Sequence, residues 1–119
     1  DKSASEIVAF DPLSKRVFVS NDNNNTLDVF RLEQNASLSK LFSLSMASHG
    51  AGVNAVAIKN GLVAVAVEAN PKQNPGKVAI FSSVVEMNGT ALTSVQVGAL
   101  PDHLAFTNDG NTLVVANEG

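Results

Sequence analysis

Asn54-Ala55-Val56-Ala57-Ile58-Lys59-Asn60-Gly61-Leu62-Val63-Ala64-Val65-Ala66-Val67-Glu68 is two apolar runs hinged on one Asn-Gly pair. Asn-Gly between apolar segments is a strong hairpin signal, because a two-residue type I′ turn needs positive φ at both central positions. The second run, Leu62 to Val67, is apolar without interruption, as in a strand covered on both faces. It is far shorter than the roughly 20 residues a membrane-spanning helix needs. No stretch of the chain keeps a 3.6-residue apolar period with caps at both ends, so helix is not expected.

The same hairpin recurs on either side. Glu6-Ile7-Val8-Ala9-Phe10, Asn54-Ala55-Val56-Ala57-Ile58 and Asp102-His103-Leu104-Ala105-Phe106 share one shape: a polar residue, a variable one, an aliphatic, an alanine, then a large apolar residue. Their starts lie 48 residues apart both times, and Val19, Val67 and Val115 in the second runs keep the same phase. Asp11-Pro12-Leu13-Ser14-Lys15 and Asn108-Asp109-Gly110-Asn111 supply the turns that Asn60-Gly61 supplies in the middle copy. Third and fourth strands are expected over 26–32 and 38–44 in the first unit, and over 77–82 and 91–97 in the second. Alternation such as Thr26-Leu27-Asp28-Val29-Phe30 marks those strands as half-exposed.

Four strands per unit at a period in the forties is the pattern of a β-propeller blade. The expected fold is therefore all-β, about two and a half four-stranded antiparallel blades. Blade 1 covers about 5–46, blade 2 about 52–98, and the start of blade 3 about 101–119. A ring needs roughly 4–8 blades to close, so these blades are expected to be a piece of a larger, seven-bladed ring. Its partners would be the remaining blades, from the rest of the chain or from other chains. A two-sheet sandwich has a similar strand count but leaves the period unexplained.

Composition narrows the function classes. The 119 residues are 45% hydrophobic and 16% charged, with a net charge of −3 and no cysteine. No Lys/Arg stripe exists to neutralise phosphates, which argues against nucleic acid, and nothing in the segment suggests membrane insertion. Without cysteine there is no disulfide framework and no thiolate metal site.

Several segments resemble the opening blades of the choice-of-anchor I family of propellers. They are Ser3-Ala4-Ser5-Glu6-Ile7-Val8-Ala9-Phe10-Asp11-Pro12, Gly50-Ala51-Gly52-Val53-Asn54-Ala55-Val56-Ala57, Pro75-Gly76-Lys77-Val78, Val97-Gly98-Ala99-Leu100-Pro101-Asp102 and Ala116-Asn117-Glu118-Gly119. Asn108 to Asn117 is a weaker motif, shared with many lactonase-like seven-bladed propellers. The resemblance implies a secreted or surface-displayed propeller, extracellular, periplasmic or on the cell surface, within a longer chain. Members go under alkaline-phosphatase-like or cell-surface glycoprotein-like names, and no catalytic residue carries over.

Blade geometry decides where chemistry is sought. The starts of first strands and the ends of second strands meet at one mouth of the central channel. That gathers Glu6, Asn54, Glu68, Asp102, His103, Asn117 and Glu118 as candidate ligand-binding residues, with His49 at the same end. Carboxylates there suit a hard cation such as Ca²⁺, with Glu6, Glu68, Asp102 and Glu118 as candidate ligands. The plainer role of the same residues is to solvate a wet channel. Asn24, Asn35 and Asn88 fit the Asn-x-Ser/Thr sequon in expected turns, so a eukaryotic secretory host would use them for glycans. No Gly-x-Ser-x-Gly elbow is present, and His49-Gly50-Ala51-Gly52 reads as a tight turn between blades. The leading expectation is a binding or display module with no catalysis in this segment. The alternatives are part of a metal-dependent phosphoesterase- or lactonase-like hydrolase, and a structural assembly protein.

Overall fold

The computed structural model describes residues 6–119; the expected blade 1 start near residue 5 and the segment Ser3-Ala4-Ser5 lie outside them. Among the described residues there is no helix. Strands β1 (Val8–Asp11), β2 (Arg16–Asn21), β3 (Thr26–Leu32) and β4 (Leu38–Ser45) form one antiparallel sheet in sequence order. Strands β5 (Gly52–Lys59), β6 (Leu62–Glu68), β7 (Pro75–Ser82) and β8 (Thr93–Ala99) form a second, and β9 (Pro101–Phe106) pairs with β10 (Leu113–Asn117) in a third. The expected fourth strand of the second unit begins two residues later than read, because Ser83–Leu92 is spent on the connection from β7.

β6 is the wall between neighbouring sheets. Successive side chains on a strand point to opposite faces, and on β6 Val63, Val65 and Val67 pack with Phe18, Leu27, Val29, Leu44 and Met46 of the first sheet. Ala64 and Ala66 turn the other way and join Ala55, Val78 and Leu104, with Val97, Phe106, Leu113 and Val115 around them. β5 touches both β1 and β9, so the first strands of the three sheets lie side by side. A two-sheet sandwich has no such shared inner line.

Side-chain size follows that arrangement. On the face that the second sheet turns to the third, the inner strands carry Ala55, Ala57, Ala64 and Ala66, and the outer ones Val78, Ile80 and Val97. Small residues inside and larger ones outside splay two stacked sheets into a wedge. The alanine of the repeated motif (Ala9, Ala57, Ala105) always falls on this face of the innermost strand, since Ala9 pairs with Phe18, Ala57 with Ala64 and Ala105 with Val114.

The hairpins are not identical in register. Val8 pairs with Val19, and 96 residues on Leu104 pairs with Val115, whereas Val56 pairs with Val65. The two-residue Asn60-Gly61 turn, with φ 51° and 81°, slides β5 along β6 by two residues. Because the side-chain period is two, every residue keeps its face.

Polar groups tie the sheets. The Arg16 guanidinium donates to the carbonyls of Ser83 at 3.2 Å and Val85 at 2.6 Å and sits 5.6 Å from the Phe42 ring centroid. Between the sheets, Gly50 lies in the tight 46–51 turn, where a Cβ would fall 2.5 Å from the Glu68 carbonyl oxygen; no side chain fits there.

Asp28 departs from the alternation that placed β3 half in water. It is 7% exposed because neighbours satisfy it: Thr26 and Ser43 hydroxyls donate to Oδ1 at 2.8 and 2.7 Å, and the Asn21 amide donates to Oδ2 at 3.2 Å. Burial opposes its ionisation, but these hydrogen bonds and the Lys40 charge outweigh burial and hold the carboxyl below its ordinary 3.8. Asp11, capped by Ser14, is lowered in the same way.

Two outcomes are expected. Phe18→Ala, at a fully buried position shared by two sheets, lowers unfolding free energy in urea by about 3–5 kcal/mol; exposed Leu41→Ala changes it by less than about 0.5. A carboxyl lowered in the folded state stabilises above the unfolded pKa and loses that contribution as pH falls through the folded one. The urea midpoint therefore drops as pH falls below 3.8, and drops less steeply in Asp28→Asn.

Candidate functional site

The innermost strands of the second and third sheets each begin with a β-bulge. Val53 pairs with Val67 and Ala55 with Ala66, which leaves Asn54 unpaired. His103 pairs with Ala116 and Pro101 with Asn117, which leaves Asp102 unpaired. Asn54 and Asp102 are the same residue of the 48-residue repeat. A bulge frees one residue from the ladder and re-aims its side chain, and such sites recur beside binding centres. The third hairpin bulges without the two-residue slide, so the short Asn60-Gly61 turn is not the cause.

Asn54 is aimed at Glu68: its Nδ2 donates to Glu68 Oε1 at 3.1 Å. The equivalent place in the first sheet holds Ser20, whose hydroxyl accepts from the Ile7 N–H at 2.9 Å, and in the third it holds Ala116. Valines 19, 67 and 115 repeat, while this neighbouring position changes from Ser to Glu to Ala. The scaffold repeats where packing requires it and varies at the mouth.

The other sequence candidates take up different surroundings. Asp102 is exposed beside its bulge. Asn117 covers Gly98, where a Cβ would lie 2.9 Å from the Asn117 Cγ. Glu118 is exposed, and its N–H donates to the Leu100 carbonyl at 2.8 Å. Glu6 is exposed just before β1, and His103 is exposed opposite Ala116 on β10. Asn54 and Glu68 are directly bonded; among the described residues no three His, Asp or Glu side chains gather closely enough to hold a metal ion.

A pocket of about 320 Å³ opens beside Glu68, lined by Ala51, Glu68, Ala69, Asn70, Pro71, Lys72 and Gln73. The β6–β7 connection that forms its wall, Ala69–Asn74, is longer than Asp22–Asn25 between β2 and β3. The site reading from rim carboxylates missed this wall. The longer spacing between the second and third strands of blade 2 was the available signal.

His49 lies in a separate groove between the first two sheets, edge-on to Phe81 with ring centroids 5.9 Å apart. Burial and the Lys77 charge push its imidazole below 6.5. All three sequon asparagines, Asn24, Asn35 and Asn88, are exposed in turns or loops, and Asn35 Oδ1 accepts from the Ser37 N–H at 3.1 Å and hydroxyl at 2.7 Å.

The family model of the choice-of-anchor I domain matches residues 6–119. No curated protein and no solved structure matches the chain. With nearly its whole length matched, the chain belongs to the choice-of-anchor I family. The description of that domain points to a cell-surface or secreted protein.

Proposed function

We propose that this choice-of-anchor I domain works as a binding and display module outside the cell, holding a polar ligand at the mouth formed by its innermost strands. The observation that carries the reading is the bulge recurring at repeat-equivalent Asn54 and Asp102. A bulge that only ended a strand would need no particular partner. Here one of the two directs an amide onto a carboxylate that also lines a pocket of about 320 Å³. That volume lies at the small end of the range for ligand sites.

The donor set defines the ligand class. Glu68 and Asp102 offer carboxylate oxygens, Asn54 and Asn117 offer both donors and acceptors, and Lys72 adds one cation at the pocket wall. Such groups exchange hydrogen bonds with hydroxyl-rich or cationic molecules and repel anions. Glu68 keeps lone pairs free after accepting from Asn54, since an ionised carboxylate accepts about four hydrogen bonds. The Asn54 amide fixes the carboxylate orientation in advance, which lowers the ordering cost of binding.

The test is an NMR titration of the ¹⁵N-labelled chain, with calcium chloride and separately with a mixture of neutral oligosaccharides. At least one probe is expected to give saturable shifts confined to Asn54, Glu68, Lys72 and Asp102. Glu68→Gln, which preserves shape, should weaken that response at least tenfold and leave the urea midpoint within error of wild type. Flat titrations with both probes at these four residues would remove the reading.

A further inference from the structure

The groove between the first two sheets has no part in the site at the mouth. It holds about 260 Å³ and is lined by Ser45, Ser48, His49, Thr90, Thr93 and Ser94, with the buried Phe81 ring against them. Hydroxyls and an imidazole meet there, and among the described residues no carboxylate lines it. Sheet register explains the gathering, because side chains of directly paired residues share a face. Ser94 pairs with Ala79, which pairs with Val65, so Ser94 lies on the face that β6 turns to the first sheet. Lys77 pairs with Val67 and stands on the same face, one row nearer the mouth. Ser45 ends β4, and the 46–51 turn brings Ser48 and His49 into the same groove.

The remaining wall is Gly89-Thr90-Ala91, in the connection from β7 to β8, and it is firmly held. Val85 of that connection is buried, and the Arg16 guanidinium donates to its carbonyl at 2.6 Å. At Gly89 a Cβ would lie 2.5 Å from Val85 Cγ2. The groove is thus formed in advance, which lowers the ordering cost of binding. Charge then selects the ligand. The Ser45 oxygen accepts from the Ala47 N–H at 3.2 Å, which leaves its proton to donate. Burial and the charge of exposed Lys77 hold the His49 imidazole below 6.5. Other charges near the groove face elsewhere: Lys40 on β4 lies 4.0 Å from Asp28, Glu68 on β6 is turned to Asn54, and Glu86 acts on Arg16. An anion entering beside an imidazole and an ammonium favours the charged form of both. The volume also lies below the roughly 300 Å³ at which ligand pockets begin, so one small group fits better than a whole sugar.

We propose that this groove is an oxyanion site, taking one sulfate- or phosphate-type group between His49, Lys77 and the hydroxyls of Ser45, Ser48 and Ser94. The test is an NMR titration of the ¹⁵N-labelled chain with sodium sulfate, against sodium chloride at equal ionic strength. Saturable shifts are expected at Ser45, Ser48, His49 and Ser94 with sulfate only. Asn54 and Glu68 should stay flat, so the result is independent of the calcium and oligosaccharide titrations. The His49 titration midpoint should rise by about one pH unit when sulfate is bound. Lys77→Gln, at an exposed position, should weaken binding about tenfold. His49→Gln should remove the tightening that accompanies falling pH where imidazole titrates. A sulfated monosaccharide run beside inorganic sulfate identifies the source: tighter binding of the ester marks a sulfated glycan, otherwise a free anion, and either result supports the site. The proposal is overturned if sulfate shifts no groove residue beyond chloride, or if Lys77→Gln and His49→Gln bind as wild type does. It is equally overturned if the unsulfated sugar saturates the groove as sulfate does.

Discussion

The structure depends on one asymmetry in one strand. β6 presents valines to the first sheet and alanines to the third, and both faces are fully buried over Val63–Val67. The valine row fills the space left by Phe18, Leu27 and Met46. The alanine row lets the third hairpin come close at its inner line, where β5 and β9 touch. Exchange the rows and the sheets would splay the wrong way. Large side chains would part the inner strands, and small ones would leave a void against Phe18, costly in proportion to its volume. Burial of apolar surface drives the stacking; the size gradient on the face between the second and third sheets gives that stack its wedge shape.

That logic explains how much of the fold was legible in the sequence. The 48-residue repeat is the repeat of a packing unit: Val19, Val67 and Val115 recur on the equivalent face of their sheets, and the motif alanine recurs on the opposite face of the innermost strand, where Ala57 lies between the second and third sheets. Strand identity and hairpin turns were readable for the same reason. The two-residue slide of β5 was not. It keeps every face assignment intact, so the apolar pattern of a slid hairpin and an unslid one is the same. The bulges at Asn54 and Asp102 were hidden too, since a bulge belongs to the pairing of two strands and leaves no mark in the periodicity of one. Asp28 was misread because alternation treats a charged residue as a vote for water. Three hydrogen-bond donors from Asn21, Thr26 and Ser43 reverse that vote, and none of them is adjacent in sequence.

The candidate site was legible as a place and less so as a constellation. Strand alternation alone predicts that first-strand starts and second-strand ends share one end of the sheets, and the Asn54–Glu68 bond lies there. Which of the polar residues would meet depended on the bulge and on the longer Ala69–Asn74 connection. In a repeat protein, positions that fail to repeat carry the most information about function, because packing does not dictate them. Ser20, Glu68 and Ala116 occupy one repeat position with three chemistries, and only the middle one is a carboxylate beside a pocket. The scaffold accepts all three, so stability did not select the glutamate.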